Sequence, residues 1–308
     1  MLNPKSGFRP DDPMRALGIR PPAGAAPDPA LLKRIDQLEA QLAKRDWLLE
    51  CRARLESQAG RAVPRLHRPD PQAFFRDCWA TLRPVVLTGL VDHWPAMQRW
   101  GLDHFRTLGD PRIEVQAARE ADPDYEANSP AHKVRMGWQA WLDLLAADPT
   151  TNDVYVTANN GSVNRGALAP LWNEIGPIPG YLEKNRMGDG FFWMGPRGTI
   201  TPWHHDLTQN FLLQLRGRKK VTLASPAETP RMRNHRHCFS RFGGTTDFAG
   251  VADPPATTEL ILAPGEILFI PVGWWHHVEG LDQTIGMSFT NFVWPNDFAG
   301  FYTSNRDL

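Results

Sequence analysis

The chain of 308 residues carries 34 Lys and Arg against 34 Asp and Glu, so its formal net charge at pH 7 is zero. Proteins that bind nucleic acid through phosphate contacts usually carry a basic excess, so this balance argues against a general nucleic-acid binder and leaves only a local basic groove open. With 42% hydrophobic and 22% charged residues, the composition is that of a globular protein and excludes disorder throughout.

Targeting and redox signals are weak in this sequence. No stretch approaches the roughly 18 consecutive apolar residues of a membrane helix, and the first residues lack the apolar core of a signal peptide. The cysteines Cys51, Cys78 and Cys238 lie far apart and form no Cys-x-x-Cys pair, so neither a disulfide framework nor a thiolate zinc site is indicated. We therefore expect a cytoplasmic protein with no membrane partner.

The N-terminal part of the chain is predicted to contain an arm and a helix. Residues 1–27 are rich in Pro, Gly and Ala, and we interpret them as a flexible arm because they have little apolar surface to bury. Asp28 followed by Pro29 is a typical helix start, and an amphipathic helix is predicted over 28–60. Its apolar stripe consists of Leu31, Ile35, Leu38, Leu42 and Leu49. Such a stripe is typical of a face that docks on its own chain, and a homodimer formed through it is the alternative.

Residues 62–308 are predicted to form one globular domain, mainly β with flanking helices. The elements predicted before residue 191 are helices at 70–79 and 138–145 and strands at 84–89 and 153–157. From Phe191 onward, β patterning dominates.

In this second part, residues 210–215 and 219–223 are predicted to be two strands joined by a hairpin at 216–218. Four further short strands are predicted between 259 and 292. Many short strands without an internal repeat favour a barrel or a double-stranded β-helix. The intervening segment, 226–258, has no clear periodicity, and a loop of this length is more often functional than idle.

Two histidine clusters lie in the β-rich region. The segment 201–206 ends in His204, His205 and Asp206, and the segment 274–277 supplies two more imidazoles. In a strand, residues i and i+2 face the same side, so His204 and Asp206 can point inward together while His205 points away. Two imidazoles and one carboxylate suit Fe(II), because they leave coordination positions open for a cosubstrate and oxygen. Alone, a His-x-Asp tripeptide arises by chance, and a histidine pair beside Trp is more often a packed or surface feature.

Two long segments surround these clusters, 195–219 and 264–278. In sequence and order they resemble the Jumonji C (JmjC) family of cupin-type Fe(II)- and 2-oxoglutarate-dependent oxygenases. The similarity covers residues 191–294 and is looser back to Pro69. Within the family the chain is most similar to the small hydroxylase branch, which includes asparaginyl and arginyl protein hydroxylases. The resemblance implies a double-stranded β-helix (jelly-roll, cupin-type) core, preceded here by the N-terminal amphipathic helix.

The resemblance also implies a metal site. His204, Asp206 and His276 correspond to the iron ligands of the family, and no catalytic residue beyond these ligands is implied. His205 and His277 are then outward or supporting residues.

A cosubstrate site is implied by further residues. Lys219 corresponds to the lysine that pairs with the distal carboxylate of 2-oxoglutarate, and a lysine on an inward strand face needs an anion. Its neighbour Lys220 is predicted to face solvent. The other implied cosubstrate residues are Thr201, Asn210, Asn291 and Tyr155, and Trp203 and Trp275 are predicted to wall the pocket. The two asparagines could instead satisfy backbone groups between strands, and the two tryptophans could also be core residues.

The resemblance implies a dioxygenase that hydroxylates a protein or peptide side chain of the Asn, Asp, His or Arg class. It would use Fe(II), 2-oxoglutarate and O2 and release succinate and CO2. One alternative is hydroxylation of tRNA or a small metabolite, because Arg231, Arg233, Arg236 and Arg241 in the segment 226–258 could contact phosphates. The other alternative is a non-catalytic cupin module that only binds a partner. His235, His237 and Cys238 lack a second pair at zinc spacing, so no zinc site is predicted there.

Overall fold

A computed structural model of the protein describes residues 28–183 and 189–302. The arm predicted over 1–27 lies outside the described residues. The chain divides into two compact units, 1–48 and 49–308. None of the helices in the described ranges combines the length and apolar character needed to cross a bilayer.

Helix α1 (Pro29–Ala59) has 31 residues and matches the predicted helix. Its start is capped as the sequence suggests, because the amide of Ala30 donates to Asp28 Oδ1 at 2.9 Å. Within the predicted stripe Ile35 is buried, whereas Leu31, Leu38 and Leu42 are exposed. Docking or dimerisation through this stripe stays a prediction.

Most of the unit 49–308 is built from short strands and short helices. In chain order the strands are β1 (Arg65–His67), β2 (Val85–Thr88), β3 (Arg112–Gln116), β4 (Lys133–Gly137), β5 (Phe191–Gly195), β6 (Ile200–His205), β7 (Asn210–Arg216), β8 (Lys219–Ala224), β9 (Asn234–Arg236), β10 (Phe239–Ser240), β11 (Thr257–Leu262), β12 (Ile267–Ile270), β13 (Trp275–Gly280) and β14 (Thr284–Phe289). The further α-helices are α2 (Pro71–Phe74), α3 (Pro95–Arg99), α4 (Leu102–Arg106), α5 (Trp138–Ala146), α6 (Gly161–Ala167) and α7 (Ala169–Trp172). Short 3-10 helices lie at Arg119–Ala121, Ser129–His132, Ala158–Asn160, Pro226–Glu228 and Phe298–Phe301, and a π-helical turn at Phe75–Trp79.

The strands form two six-stranded sheets and one two-stranded sheet, β3-β4. The order in the first sheet is β1-β2-β12-β7-β14-β5, and in the second it is β11-β8-β13-β6-β10-β9. Antiparallel pairing holds for the described strand pairs except β1 with β2, which is parallel. The prediction of a mainly β jelly-roll core preceded by a helix is confirmed.

Strand alternation assigns the faces of the first sheet. In β7, Phe211 and Leu213 belong to a large core that also contains buried aromatic residues of the helical layer, such as Trp138. Leu212, between them, packs instead in a smaller core with residues of the second sheet, among them Val221. The period of two along β7 therefore places one face against the helices and the other between the two sheets.

The predicted hairpin between β7 and β8 is wrong. Strand β7 pairs with β12 and β14, whereas β8 pairs with β11 and β13, so the chain crosses from one sheet to the other at 216–218. Gly217 has φ +66°, and a Cβ on it would collide with the carbonyl of Gln283, which is why the crossing requires glycine. Two adjacent strands with a tight turn have the same local pattern whether they pair with each other or with distant strands.

Two other predicted elements differ from the structure. The segment 153–157 is not a strand. It makes only two isolated bridges, Tyr155 with Gln116 and Val156 with Met194. The predicted helix at 70–79 does begin at the Asp70 cap, where Oδ2 accepts from the Ala73 amide at 2.9 Å, but it continues as the π-helical turn after Phe74.

The predicted loop 226–258 contains the hairpin β9-β10, which extends the second sheet beside β6. Arg231 ties this segment to Glu50, in the part of helix α1 that belongs to the unit 49–308. Its guanidinium lies 2.7 Å from Glu50, 3.4 Å from Glu228 and 2.9 Å from Asp253. The charge of Arg231 is therefore matched by carboxylates of the same unit and is not free for a phosphate.

Candidate metal and cosubstrate site

A cavity of about 470 Å³ lies between the two sheets. Strands β6, β7, β8, β12, β13 and β14 each place at least one side chain in its wall. His204, Asp206 and His276 line it together with Lys219. The jelly-roll thus brings residues separated by up to 72 positions (276 minus 204) into one chamber.

The three predicted ligands converge at one end of this cavity. His204 and His276 lie directly opposite each other in the register of β6 and β13, and a register shift follows His276. Asp206 follows β6, with carboxylate oxygens 3.8 Å from His204 Nε2 and 3.9 Å from His276 Nε2. The three candidate ligand atoms lie within 4.8 Å of one another, and no other His, Cys, Asp or Glu group in 28–183 and 189–302 has this geometry.

Hydrogen bonds orient each of the three side chains. His204 Nδ1 lies 2.8 Å from the carbonyl of Pro202, and His276 Nδ1 lies 3.0 Å from the carbonyl of Trp274. A neutral ring in this arrangement donates from Nδ1 and leaves the Nε2 lone pair facing Asp206. The Asn210 amide donates to Asp206 Oδ2 at 3.0 Å. The donor set, two imidazoles and a carboxylate with fixed orientation, fits an Fe(II) site.

Burial lowers the pKa of His204 to about 4, and repulsion from His276 acts in the same direction. A lowered pKa keeps the ring neutral at pH 7, which is the form that binds a metal ion. In the metal-free protein we expect His204 to be neutral even at about pH 6, where an ordinary histidine of pKa about 6.5 is mostly protonated.

A long-range 15N–1H correlation spectrum of the metal-free protein tests this expectation, and the spectrum of His204→Gln assigns the signal. We expect a neutral ring protonated on Nδ1 at about pH 6. A His204 signal that titrates near pH 6.5 would contradict the burial argument.

Lys219 lies in the same cavity and is 2% exposed. Its Nζ lies 5.7 Å from the Trp193 ring centre and 6.0 Å from that of Tyr155. Within the described residues it has neither a hydrogen-bond nor an ion-pair partner, whereas Lys220 on the opposite face pairs with Glu279 at 2.7 Å. An unpaired buried ammonium is costly, so the cavity fits an anionic ligand beside Lys219.

The other predicted cosubstrate residues separate into two groups. Thr201, Asn210 and Tyr155 line the cavity. Asn291 does not, and the two polar atoms of its half-buried side chain are buried without a hydrogen-bond partner in the described structure. Thr290, one position earlier, lines the cavity instead, as does Ser288 near the end of β14.

The predicted aromatic wall also needs a correction. Trp203 and Trp275 are fully buried but pack outside the cavity, with Met232 in a small core behind the second sheet. Each directly precedes an inward histidine, so alternation turns it away. Phe191 and Trp193 of β5 supply the aromatic wall.

Glu126 is a cavity residue that sequence reasoning missed. Its side chain is 11% exposed, and its Oε2 lies 3.7 Å from Arg119 Nη2. Asn159 Nδ2 donates to its other oxygen at 2.9 Å. No motif marks this residue, because it lies in an irregular segment 78 positions before His204 (204 minus 126).

The segment 226–258 contributes to the site through a side chain that carries no charge. Phe239 lines the cavity, and its ring centre lies 6.1 Å from that of His204. Of the arginines predicted to contact phosphates, Arg233 stacks on Phe242 at 5.2 Å and Arg236 donates to Asn128 at 3.0 Å. Burial raises the pKa of the Cys238 thiol to about 12, which disfavours a thiolate ligand there.

The part of the chain that contains the two sheets and the cavity is similar to known proteins. Residues 71–298 match the model of a family described as a cupin-like domain. The Xenopus tropicalis protein named lysine-specific demethylase 8 is 29% identical over 251 residues, 74% of this chain and 52% of that protein. The human bifunctional peptidase and (3S)-lysyl hydroxylase JMJD7 is 25% identical over 264 residues, 74% of this chain and 83% of that protein.

A third relative has a different named role. The Gallus gallus tRNA wybutosine-synthesizing protein 5 is 24% identical over 259 residues, 76% of this chain and 77% of that protein. The alignment with the Xenopus tropicalis protein spans only 52%, about half, of that protein's length.

Proposed function

Because the chain belongs to the cupin-like family in its Jumonji C branch, we propose that it is an Fe(II)- and 2-oxoglutarate-dependent dioxygenase that hydroxylates a lysyl or arginyl side chain of a protein. The family predicted from the sequence is confirmed, and it is a family of oxygenase enzymes. One observation carries the proposal: three convergent ligand side chains and an unpaired buried lysine share one cavity.

The metal would be held by His204, Asp206 and His276. Bound Fe(II) with 2-oxoglutarate and O2 would supply the oxidising chemistry, with succinate and CO2 as co-products. The protein holds both imidazoles in one tautomer and keeps Asp206 oriented through Asn210. Phe191 and the other apolar wall residues would limit the access of water to the reacting centre.

The cosubstrate would bind beside Lys219. Its ammonium offers a charge-assisted hydrogen bond to a carboxylate, and Thr201, Tyr155 and Asn210 offer further polar groups in the same wall. Asn210 Oδ1 is buried and has no partner in the described structure, which is consistent with a polar ligand here.

Glu126 supports a basic substrate side chain. The charges of Fe(II), Asp206, 2-oxoglutarate and Lys219 sum to zero (+2, −1, −2 and +1), so the loaded centre itself attracts neither sign. Glu126 adds a carboxylate to the same cavity, and its ion pair with Arg119, at 3.7 Å, is too long for a hydrogen bond and leaves Oε2 able to accept one. A lysyl or arginyl group can take up the remaining acceptor sites of this carboxylate. Two relatives also carry lysine or lysyl in their names.

Succinate formation and peptide mass test this proposal. The purified protein is incubated with Fe(II), O2, 2-oxoglutarate and one peptide sequence that carries Lys, Arg, Asn, Asp, His or Ala at its centre. We expect one oxygen atom to be added to the Lys or Arg peptide. For Glu126→Gln we expect kcat/KM for that peptide to fall roughly 10- to 150-fold, the cost of losing a hydrogen bond to a charged group.

The matched control for Glu126→Gln is Glu120→Gln. Glu120 lies in the same segment but binds the Asn152 amide and the Thr151 hydroxyl, both at 2.8 Å, outside the cavity. We expect the Glu120→Gln variant to have the same preference among the peptides as the wild-type protein. Oxidation of the Asn, Asp or His peptide in preference to the basic ones would contradict the substrate assignment while leaving the oxygenase proposal intact.

Oxidation of an RNA base is the second candidate, supported by the relative whose name concerns tRNA. The contacts of Arg231, Arg233 and Arg236 weaken it, because carboxylates, a ring or an amide already engage these side chains. Turnover stimulated by tRNA, with binding that weakens steeply as salt rises, would favour this candidate.

A further inference from the structure

We propose that Arg119, which lies behind the cavity wall, is a positioning residue that fixes Glu126 on the substrate side and Tyr155 on the cosubstrate side. The inference rests on the proposed function, because it concerns how the same site binds its two organic substrates. Arg119 is 1% exposed and is not itself part of the cavity lining. Its effect on the reaction must therefore pass through the residues that it contacts.

The guanidinium of Arg119 connects three separate segments. Nη1 donates to the carbonyl and to Oδ1 of Asn152, at 3.1 and 2.9 Å. Nη2 donates to the carbonyl of Ile200 at 2.7 Å and lies 3.7 Å from Glu126 Oε2. Glu126 is the carboxylate paired with this buried cation in the described structure, so each charge fixes the position of the other.

Two aromatic rings also contact the guanidinium. Its Cζ lies 4.3 Å from the ring centre of Tyr125 and 5.2 Å from that of Tyr155. The Tyr155 ring is the one that Lys219 Nζ approaches from the cavity. Arg119 thus supports from behind a ring that lines the proposed carboxylate site.

The start of β6 is held by the same residue. Besides Arg119, the Tyr125 hydroxyl donates to the Ile200 carbonyl at 3.0 Å. The next residue, Thr201, lines the cavity.

The backbone before Arg119 is strained, because Ala118 has φ +56°, which a non-glycine residue rarely adopts. Such strain persists where surrounding contacts fix the chain, and it is frequent beside functional sites.

Arginine is required here because its planar fork donates in several directions and also stacks on rings. A lysine keeps the charge beside Glu126 but cannot bind Asn152 and Ile200 together or stack on both tyrosines. For Arg119→Lys we expect KM to rise about tenfold for the basic peptide and for 2-oxoglutarate, the order of one lost charge-assisted hydrogen bond. We expect kcat at saturation to stay within about twofold, since no atom at the reacting centre changes.

A purely structural role would give a different result. It would lower the folded fraction, and with it the apparent kcat, and would leave both KM values unchanged. Arg231→Lys is the matched control, because it also weakens an arginine with several partners, and neither Arg231 nor its carboxylate partners line the cavity. Calorimetric titration of 2-oxoglutarate into the Mn(II)-loaded protein gives a readout that does not depend on turnover.

A double-mutant cycle separates the two routes. In a Glu126→Gln background, we expect Arg119→Lys to have little further effect on peptide KM but its full effect on 2-oxoglutarate binding. Additive effects on peptide KM, or binding of 2-oxoglutarate equal to that of the wild type, would overturn the inference. Failure of the wild-type protein to bind 2-oxoglutarate would instead overturn the proposed function, and the inference with it.

Discussion

Replacement of Asp206 by Ala is expected to abolish 2-oxoglutarate turnover while the protein stays folded. The carboxylate is the anionic member of the proposed ligand set, and its oxygens lie 3.8 and 3.9 Å from the two imidazoles. Without it, only the two imidazoles face the metal position, and no carboxylate compensates the metal charge. We expect metal affinity to fall by more than the roughly 10- to 100-fold typical of an outer-shell partner. His204→Ala is expected to have the same effect.

Metal content after dialysis, succinate formation and circular dichroism measure the three parts of this prediction. The matched control is His205→Ala, which removes an imidazole from the opposite side of the same strand, where it contacts Trp275 at 4.7 Å. We expect this variant to keep its metal. Unchanged turnover in Asp206→Ala would refute the ligand assignment.

Replacement of Lys219 by Ala is expected to weaken 2-oxoglutarate binding roughly 10- to 150-fold, which corresponds to the 1.5 to 3 kcal/mol of a hydrogen bond to a charged group. Lys219 is 2% exposed and its ammonium has no ion-pair partner in the described residues, so its contact with a bound carboxylate is poorly screened by water. Calorimetric titration of 2-oxoglutarate measures the loss directly. Metal binding should be retained, because Lys219 is not among the candidate ligands.

Lys220→Ala is a closely matched control, since it removes the same charged group one residue away on the same strand. Its ammonium lies on the opposite face and pairs with Glu279. We expect cosubstrate affinity to be unchanged. Equal loss in both variants would indicate a general charge effect, and no loss in Lys219→Ala would assign the carboxylate contact to another residue.

The sequence pattern correctly predicts which way a side chain faces when its residue lies in a regular strand next to a motif. A period of two predicts that His204 and Asp206 share a face and that Lys219 and Lys220 do not, and the structure has both arrangements. The same period turns Trp203, which directly precedes His204, away from the cavity. The predicted tryptophan wall is wrong because a residue that directly precedes a ligand in a strand faces the other side of the sheet.

The amino-acid sequence by itself determined the family, the mainly β core and the ligand candidates, because strand alternation and local motifs are properties of neighbouring residues. Only the tertiary structure decided which strands pair. It places β7 and β8 in different sheets although one short turn joins them. It also brought Glu126 and Arg119 to the site from a segment that has no strand and no motif. Contacts between distant segments depend on how the sheets and loops pack, and local residue patterns do not encode that packing.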